Sequence, residues 1–132
     1  MKKSLLVAAL LVAGCAQLQI DPCIKRYHIA APQISLGDSK EKVCSVLDPT
    51  QDGLPDRAKK PPETFNKDGK TIDIIYYRTG RTPDDMTTDD EFTPYIFEDG
   101  KLIAIGWHIL GGPKTKGRIP DRINIQQTQY NR

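Results

Sequence analysis

The sequence predicts an α+β domain: a small three-stranded antiparallel sheet with a short helix packed on one face, carried on an N-terminal tether. Three observations predict it. The run "TIDIIYYRT" concentrates β-branched and aromatic residues, as strands do. "FTPYIFEDGKLIAIGWHIL" reads as two strands joined at Asp99-Gly100, a dipeptide favoured in two-residue hairpin turns. Between Gly37 and Pro49, the apolar Val43, Val46 and Leu47 recur at helical spacing behind the capping candidates Asp38 and Ser39.

At the N-terminus, Met1-Lys2-Lys3 stands before an apolar run from Leu5 to Ala13. Spanning a bilayer takes about 20 apolar residues, so this shorter run reads as an export signal. Its ending, Val12-Ala13-Gly14-Cys15, resembles the lipobox of bacterial lipoproteins. The resemblance implies cleavage between Gly14 and Cys15, with Cys15 acylated as the mature N-terminus. Ala16, standing where Asp would retain such a protein at the inner membrane, implies the outer membrane, with the domain facing the periplasm. Several acyl chains, at about 0.8 kcal/mol per buried CH2, hold a protein firmly. The expected organisation is a signal peptide at 1–14, a lipidated tether at 15–33, an α+β domain at 34–112 and a polar, flexible tail at 113–132.

Losing the signal changes the charge. Of 19 Lys+Arg, Lys2 and Lys3 leave, and the remaining 17 balance 17 Asp+Glu. A net charge of zero excludes a charge-driven nucleic-acid partner. With Cys15 committed to lipid, Cys23 and Cys44 remain in an oxidising compartment, where a disulfide is the expectation. Such a bridge would close a loop of about 20 residues and contribute roughly 3 kcal/mol. Two free thiols or a metal pair are the alternatives.

In chain order, residues 15–33 carry Pro22 and Pro32 with little periodicity and read as the tether. A helix is expected over Ser39–Leu47, with Asp38 and Glu41 as a capping pair and Pro49 closing it. So short a helix barely forms alone, so it must pack on something. Thr50–Lys70, with Pro55, Pro61 and Pro62, reads as a long connection. Strands are expected at Thr71–Arg78, Pro94–Phe97 and Lys101–His108, separated by the acidic, turn-rich excursion Gly80–Glu91. The Asp99-Gly100 turn would set Glu98 opposite Lys101, Phe97 opposite Leu102 and Ile96 opposite Ile103.

The order of these parts resembles the BamE/SmpA-like small lipoproteins, which have a beta-lactamase-inhibitor-like fold. Gly37, Ser39 and Val43 match that family's helix start, Tyr76 and Tyr77 its aromatic strand, and Phe97, Gly100, Leu102 and Ile105 its hairpin. The resemblance covers roughly Ile34 to Trp107 and implies an envelope setting with a protein partner.

Catalytic patterns are missing from the sequence. His28 and His108 stand without a ligand cluster, and Asp84, Asp85, Asp89 and Asp90 lack the alternation and glycine of a calcium loop. Gly111-Gly112 opens no phosphate-binding helix. The expectation is a non-enzymatic, lipid-anchored binding or adaptor protein with no metal, and no cofactor beyond the lipid on Cys15. Its partner would be an envelope protein, touched by the acidic Asp84, Asp85, Asp89, Asp90 and Glu91 or by Tyr76, Tyr77 and Trp107. The alternative is a peptidoglycan-binding lipoprotein using those aromatics as stacking platforms.

Overall fold

A computed structural model describes residues 15–117 of the chain. The expected signal segment ending at Gly14, its expected cleavage site and the chain beyond residue 117 lie outside the described residues. The architecture is α+β: helices α1 (Cys15–Ala30) and α2 (Lys40–Leu47) and an antiparallel sheet of β1 (Glu63–Lys67), β2 (Lys70–Arg78), β3 (Phe92–Glu98) and β4 (Lys101–Ile105). The strands form a meander in the order β1-β2-β3-β4, one strand more than the sequence predicts.

The expected tether is largely α1. Pro22 lies inside this helix, where a proline removes a backbone donor and costs on the order of 3 kcal/mol. Burial offsets it: Cys23 and Tyr27 are buried, and Ile20 packs against the Cys23, Leu54 and Ala58 cluster. Fully burying side chains of this size contributes roughly 1.5–3 kcal/mol each.

Helix α2 forms as expected, and one of the two capping candidates is used. Ser39, not Asp38, is the N-cap, its hydroxyl accepting from the Lys42 N–H at 3.1 Å. Asp38 instead accepts from the Ser35 N–H at 2.8 Å and pairs with Lys42 Nζ at 3.0 Å, so the expected Asp38–Glu41 capping pair is not formed. Val43 and Leu47 are its buried side chains.

The sheet corrects the expected strand limits. β1 and β2 join through Asp68 (φ 53°) and Gly69 (φ 78°), which repeats the Asp99 (φ 48°) and Gly100 (φ 80°) turn between β3 and β4. Positive φ at both central residues is the type I′ hairpin signature. The expected long connection therefore holds 3-10 turns at Asp48–Gln51 and Asp56–Ala58, and then a strand. Glu98 faces Lys101 and Phe97 faces Leu102 as predicted, but a bulge then pairs Ile96 with Ala104 instead of Ile103. Ile103 is left exposed. β4 ends at Ile105, because Gly106 (φ 98°) turns the chain; Trp107 and His108 lie beyond the strand.

Each face of the sheet has its own core. Tyr77, Tyr95, Phe97 and Leu102 pack with Tyr27 and Ile34 and with Val43 and Leu47 of α2. The other face gathers Ile72, Ile74, Tyr76, Phe92 and Ile96, flanked by Ala104, Trp107 and Leu110. The buried phenols are satisfied: Tyr27 and Tyr95 hydroxyls lie 2.7 Å apart, and Tyr77 donates to Asp48 Oδ1 at 2.7 Å.

Candidate functional site

Three arginines converge on one cavity. Its volume is about 470 Å³, and Ile20 of α1, Arg57 and Ala58, Arg78 at the end of β2, and Arg81, Thr82, Pro83 and the run from Asp85 to Thr87 line it. Arg78 is the best-anchored member. Its Nη2 donates to Glu91 Oε2 at 2.6 Å, its Nη1 donates to the Ala58 carbonyl at 3.0 Å, and its guanidinium lies 5.4 Å from the Phe92 ring centroid. Burial pushes its pKa down, and the Glu91 carboxylate works against that. A guanidinium nonetheless stays charged, because its ordinary pKa is above 12.

Glu91 organises the loop around this pair. Oε2 also accepts from the Thr82 N–H at 2.9 Å, while Oε1 accepts from the Thr88 N–H at 2.8 Å and completes a capping box with Thr88. Arg81 Nε pairs with Asp21 Oδ1 of α1 at 3.1 Å. Arg57 makes no ion pair among the described residues. Of the three lining arginines, then, Arg78 is spent inside the fold and Arg81 is paired, while the exposed Arg57 is the one placed to meet an acidic group.

The acidic excursion is largely internal scaffolding. Glu91 is 1% exposed, so it is not available as a partner contact. Asp89 pairs with Lys60 Nζ at 3.0 Å and accepts from the Lys114 N–H, while Asp90 accepts from the Gly117 N–H. These bonds dock residues 114–117, the start of the expected flexible tail, onto the excursion. Asp84 and Asp85 share the loop, and Asp85 lines the cavity.

The aromatics expected as stacking platforms sit in the cores. Tyr77 is 2% exposed. Tyr76 stacks on Trp107 with centroids 5.6 Å apart, and Lys60 Nζ lies 4.8 Å from its ring centroid. Trp107 is half-buried and donates its Nε1–H to the Phe92 carbonyl at 2.8 Å.

The expected disulfide is not formed: Cys23 and Cys44 are free thiols. They serve different neighbourhoods. Cys23 donates its S–H to the Asp52 carbonyl at 3.3 Å and accepts from Arg26 Nη2 at 3.1 Å, whereas Cys44 lies 3.9 Å from the Tyr77 hydroxyl. Burial raises both pKa values above that of a free thiol. Cys15 opens α1.

Sequence reasoning missed Arg57, Arg78 and Arg81 altogether. The available signal was Arg78 at the end of an otherwise apolar strand pattern, where a long cation needs a buried carboxylate.

The fold and cavity define a class: a small α+β domain built on an antiparallel meander, with an arginine-lined pocket beside its first helix. The chain matches the family described as "Protein of unknown function (DUF3192)" over residues 25–110, and it belongs to that family. The match runs from the second half of α1 to Leu110, so it includes all four strands. No curated protein and no solved structure matches the chain.

Proposed function

We propose that this protein is a lipid-anchored envelope protein of the outer membrane that faces the periplasm and acts by binding, without catalysis. The observation that supports the binding reading is the cavity lined by Arg57, Arg78 and Arg81, at which the exposed Arg57 carries no ion pair among the described residues. Its ligand is an acidic group on an envelope protein, docked through Arg57 at the rim. The anchor reading rests on Ala13-Gly14-Cys15 behind a short apolar run, and the likeness to BamE/SmpA-like lipoproteins supports the same setting. Ile20 of the cavity follows Cys15 by five positions, which keeps the site close to a lipid on that cysteine. Tethering would raise its effective concentration for envelope partners.

Two measurements test the two halves. Palmitate labelling in cells should vanish on Cys15→Ser; labelling unaffected by that change overturns the anchor. A photo-crosslinker at Met86, an exposed cavity residue, should capture an envelope protein. Arg57→Glu should cut that capture at least tenfold, with the fold intact by circular dichroism. Undiminished capture overturns the cavity as the contact.

A further inference from the structure

We infer that β1 is a self-complementary edge through which two copies of this chain join, extending the meander into one continuous sheet across a two-fold axis. The two edges of the sheet are treated differently. Beside β4, the Leu102 carbonyl accepts from the Gly37 N–H at 2.8 Å, the Leu102 N–H donates to the Asp38 carbonyl at 2.8 Å, and the Gly100 carbonyl accepts from the Lys40 N–H at 2.8 Å. The start of that edge is capped by the chain itself. Among the described residues β1 has no such cover, and all five of its residues are exposed. An open row of backbone donors and acceptors is a template for another strand.

The register of β1 fixes which groups are open. A two-residue type I′ turn is closed by a hydrogen-bonded pair, here Lys67 and Lys70. Backbone direction alternates along a strand, so Lys67, Phe65 and Glu63 point their amides at β2. Thr64 and Asn66 point theirs outward, and neither has a backbone partner there among the described residues.

Symmetry then selects one pairing. A two-fold pairing must match outward residues with outward residues, so it centres on Thr64, Phe65 or Asn66. Centring on Thr64 would set Asn66 against Pro62, which has no N–H to give. Centring on Asn66 would set Thr64 against Asp68, which is held at φ 53° in the turn and is not extended. Centring on Phe65 sets each Thr64 against the partner's Asn66, with both N–H···O bonds made on each side. Phe65, 44% exposed, then meets its own copy in the closer, non-hydrogen-bonded pair, with Cα atoms about 4.5 Å apart. Glu63 meets the partner's Lys67 twice, once on each side of the axis.

Backbone matching, an exposed aromatic on the axis and charge complementarity thus agree on a single register. An isologous contact of this kind closes at two copies and builds no fibre. The contact is small, so it belongs with weak, transient interfaces in free solution. Confinement of the chains to one surface would favour it.

A photo-crosslinking phenylalanine analogue at position 65 of the full chain in cell envelopes tests this. The expected product is a crosslinked dimer of this chain. Glu63→Lys should reduce the dimer at least fivefold by setting lysine against lysine, and Glu63→Lys with Lys67→Glu should restore it. Both positions are exposed, and unchanged circular dichroism will verify folding. Absence of a dimer, a dimer indifferent to Glu63→Lys, failure of the charge swap to restore it, or adducts to other proteins alone would each overturn the inference.

Discussion

Arg78 Nη2 lies 2.6 Å from Glu91 Oε2, with the two side chains 2% and 1% exposed, so the end of β2 is joined to the turn that leads into β3 by a fully desolvated ion pair. Taking two charges out of water costs several kcal/mol per ion, and their attraction repays it only when the remaining polar atoms are also satisfied. Glu91 meets that condition through the Thr82 and Thr88 N–H groups. Among the described residues Arg78 Nε has no hydrogen-bond partner, so the guanidinium is held there by four of its five donors at most.

Glu91→Ala should destabilise the domain by about 3–5 kcal/mol, because it leaves an uncompensated buried charge. It also releases the loop from Thr82 to Thr88, which reshapes the cavity. Urea denaturation followed by circular dichroism measures the first effect. A loss below about 1 kcal/mol would mean the pair is not desolvated as described.

The thiols give a second outcome. In unreduced, denatured protein, a maleimide should label both Cys23 and Cys44. In the native state Cys44, half-buried, should react before Cys23, which is 0% exposed. Burial raises both pKa values, so both reactions should be slow near neutral pH. Failure to label either thiol after denaturation without reductant would restore the disulfide.

Much of the fold was legible in short-range patterns, and the misses share a cause. Asp99-Gly100 announced its hairpin, and Asp68-Gly69 carries the same signal between lysines. The latter was overridden by Pro61-Pro62 and by a β1 with no buried side chain to mark it as a strand. In α1, Ile20, Cys23, Tyr27 and Ala30 keep helical spacing, but Pro22 argues locally against a helix and only tertiary burial overrules it. The bulge that frees Ile103 is invisible to a turn rule, because it arises beyond the residues that the turn constrains. The cavity was least legible. Its arginines are separated in sequence and come together only when α1, the Asp56–Ala58 turn and the end of β2 are assembled.

The hairpin glycines provide a third outcome. Gly100 sits at φ 80° with no atom within 4 Å of where a Cβ would stand, so Gly100→Val adds backbone strain without collision. Strain of that kind costs on the order of 1–3 kcal/mol. Asp99 ties this turn to β2, its N–H donating to the Thr71 carbonyl and its Oδ1 accepting from the Thr71 N–H, each at 2.9 Å. Gly100→Val should therefore lower the thermal midpoint by several degrees. Gly117→Ala should do so by collision instead, because its Cβ would lie 2.5 Å from Thr82 Oγ1. Equal midpoints for Gly100→Val and the parent would show that the turn relaxes without cost.

Stability should fall at both ends of the pH scale, through different groups. Asp38 is held below the ordinary carboxyl value by the Ser35 N–H and then by Lys42; Asp73 is held below it by the Thr64 hydroxyl and then by Lys40. Burial would raise Asp89, but Lys60 and the Lys114 N–H outweigh it and lower its pKa. A carboxyl with a lower pKa in the folded state binds fewer protons there than in the unfolded chain, so stability rises with pH across that interval. The contribution is complete above the ordinary value of about 3.9 and is lost as pH falls through the folded values. The tyrosines act in the opposite sense. Burial pushes Tyr76 up to about 12 and raises Tyr77 and Tyr95, so the folded state keeps phenol protons that the unfolded chain gives up. Stability is then complete below about 10, the unfolded phenol value, and falls as pH rises towards the folded one. Urea midpoints measured from pH 2 to 11 should trace a plateau with a loss below about pH 4 and another above about pH 10. Asp38→Asn and Asp89→Asn should each flatten the acid limb without moving the alkaline one. An acid limb unchanged in both variants would show that these carboxylates are not held as their contacts imply.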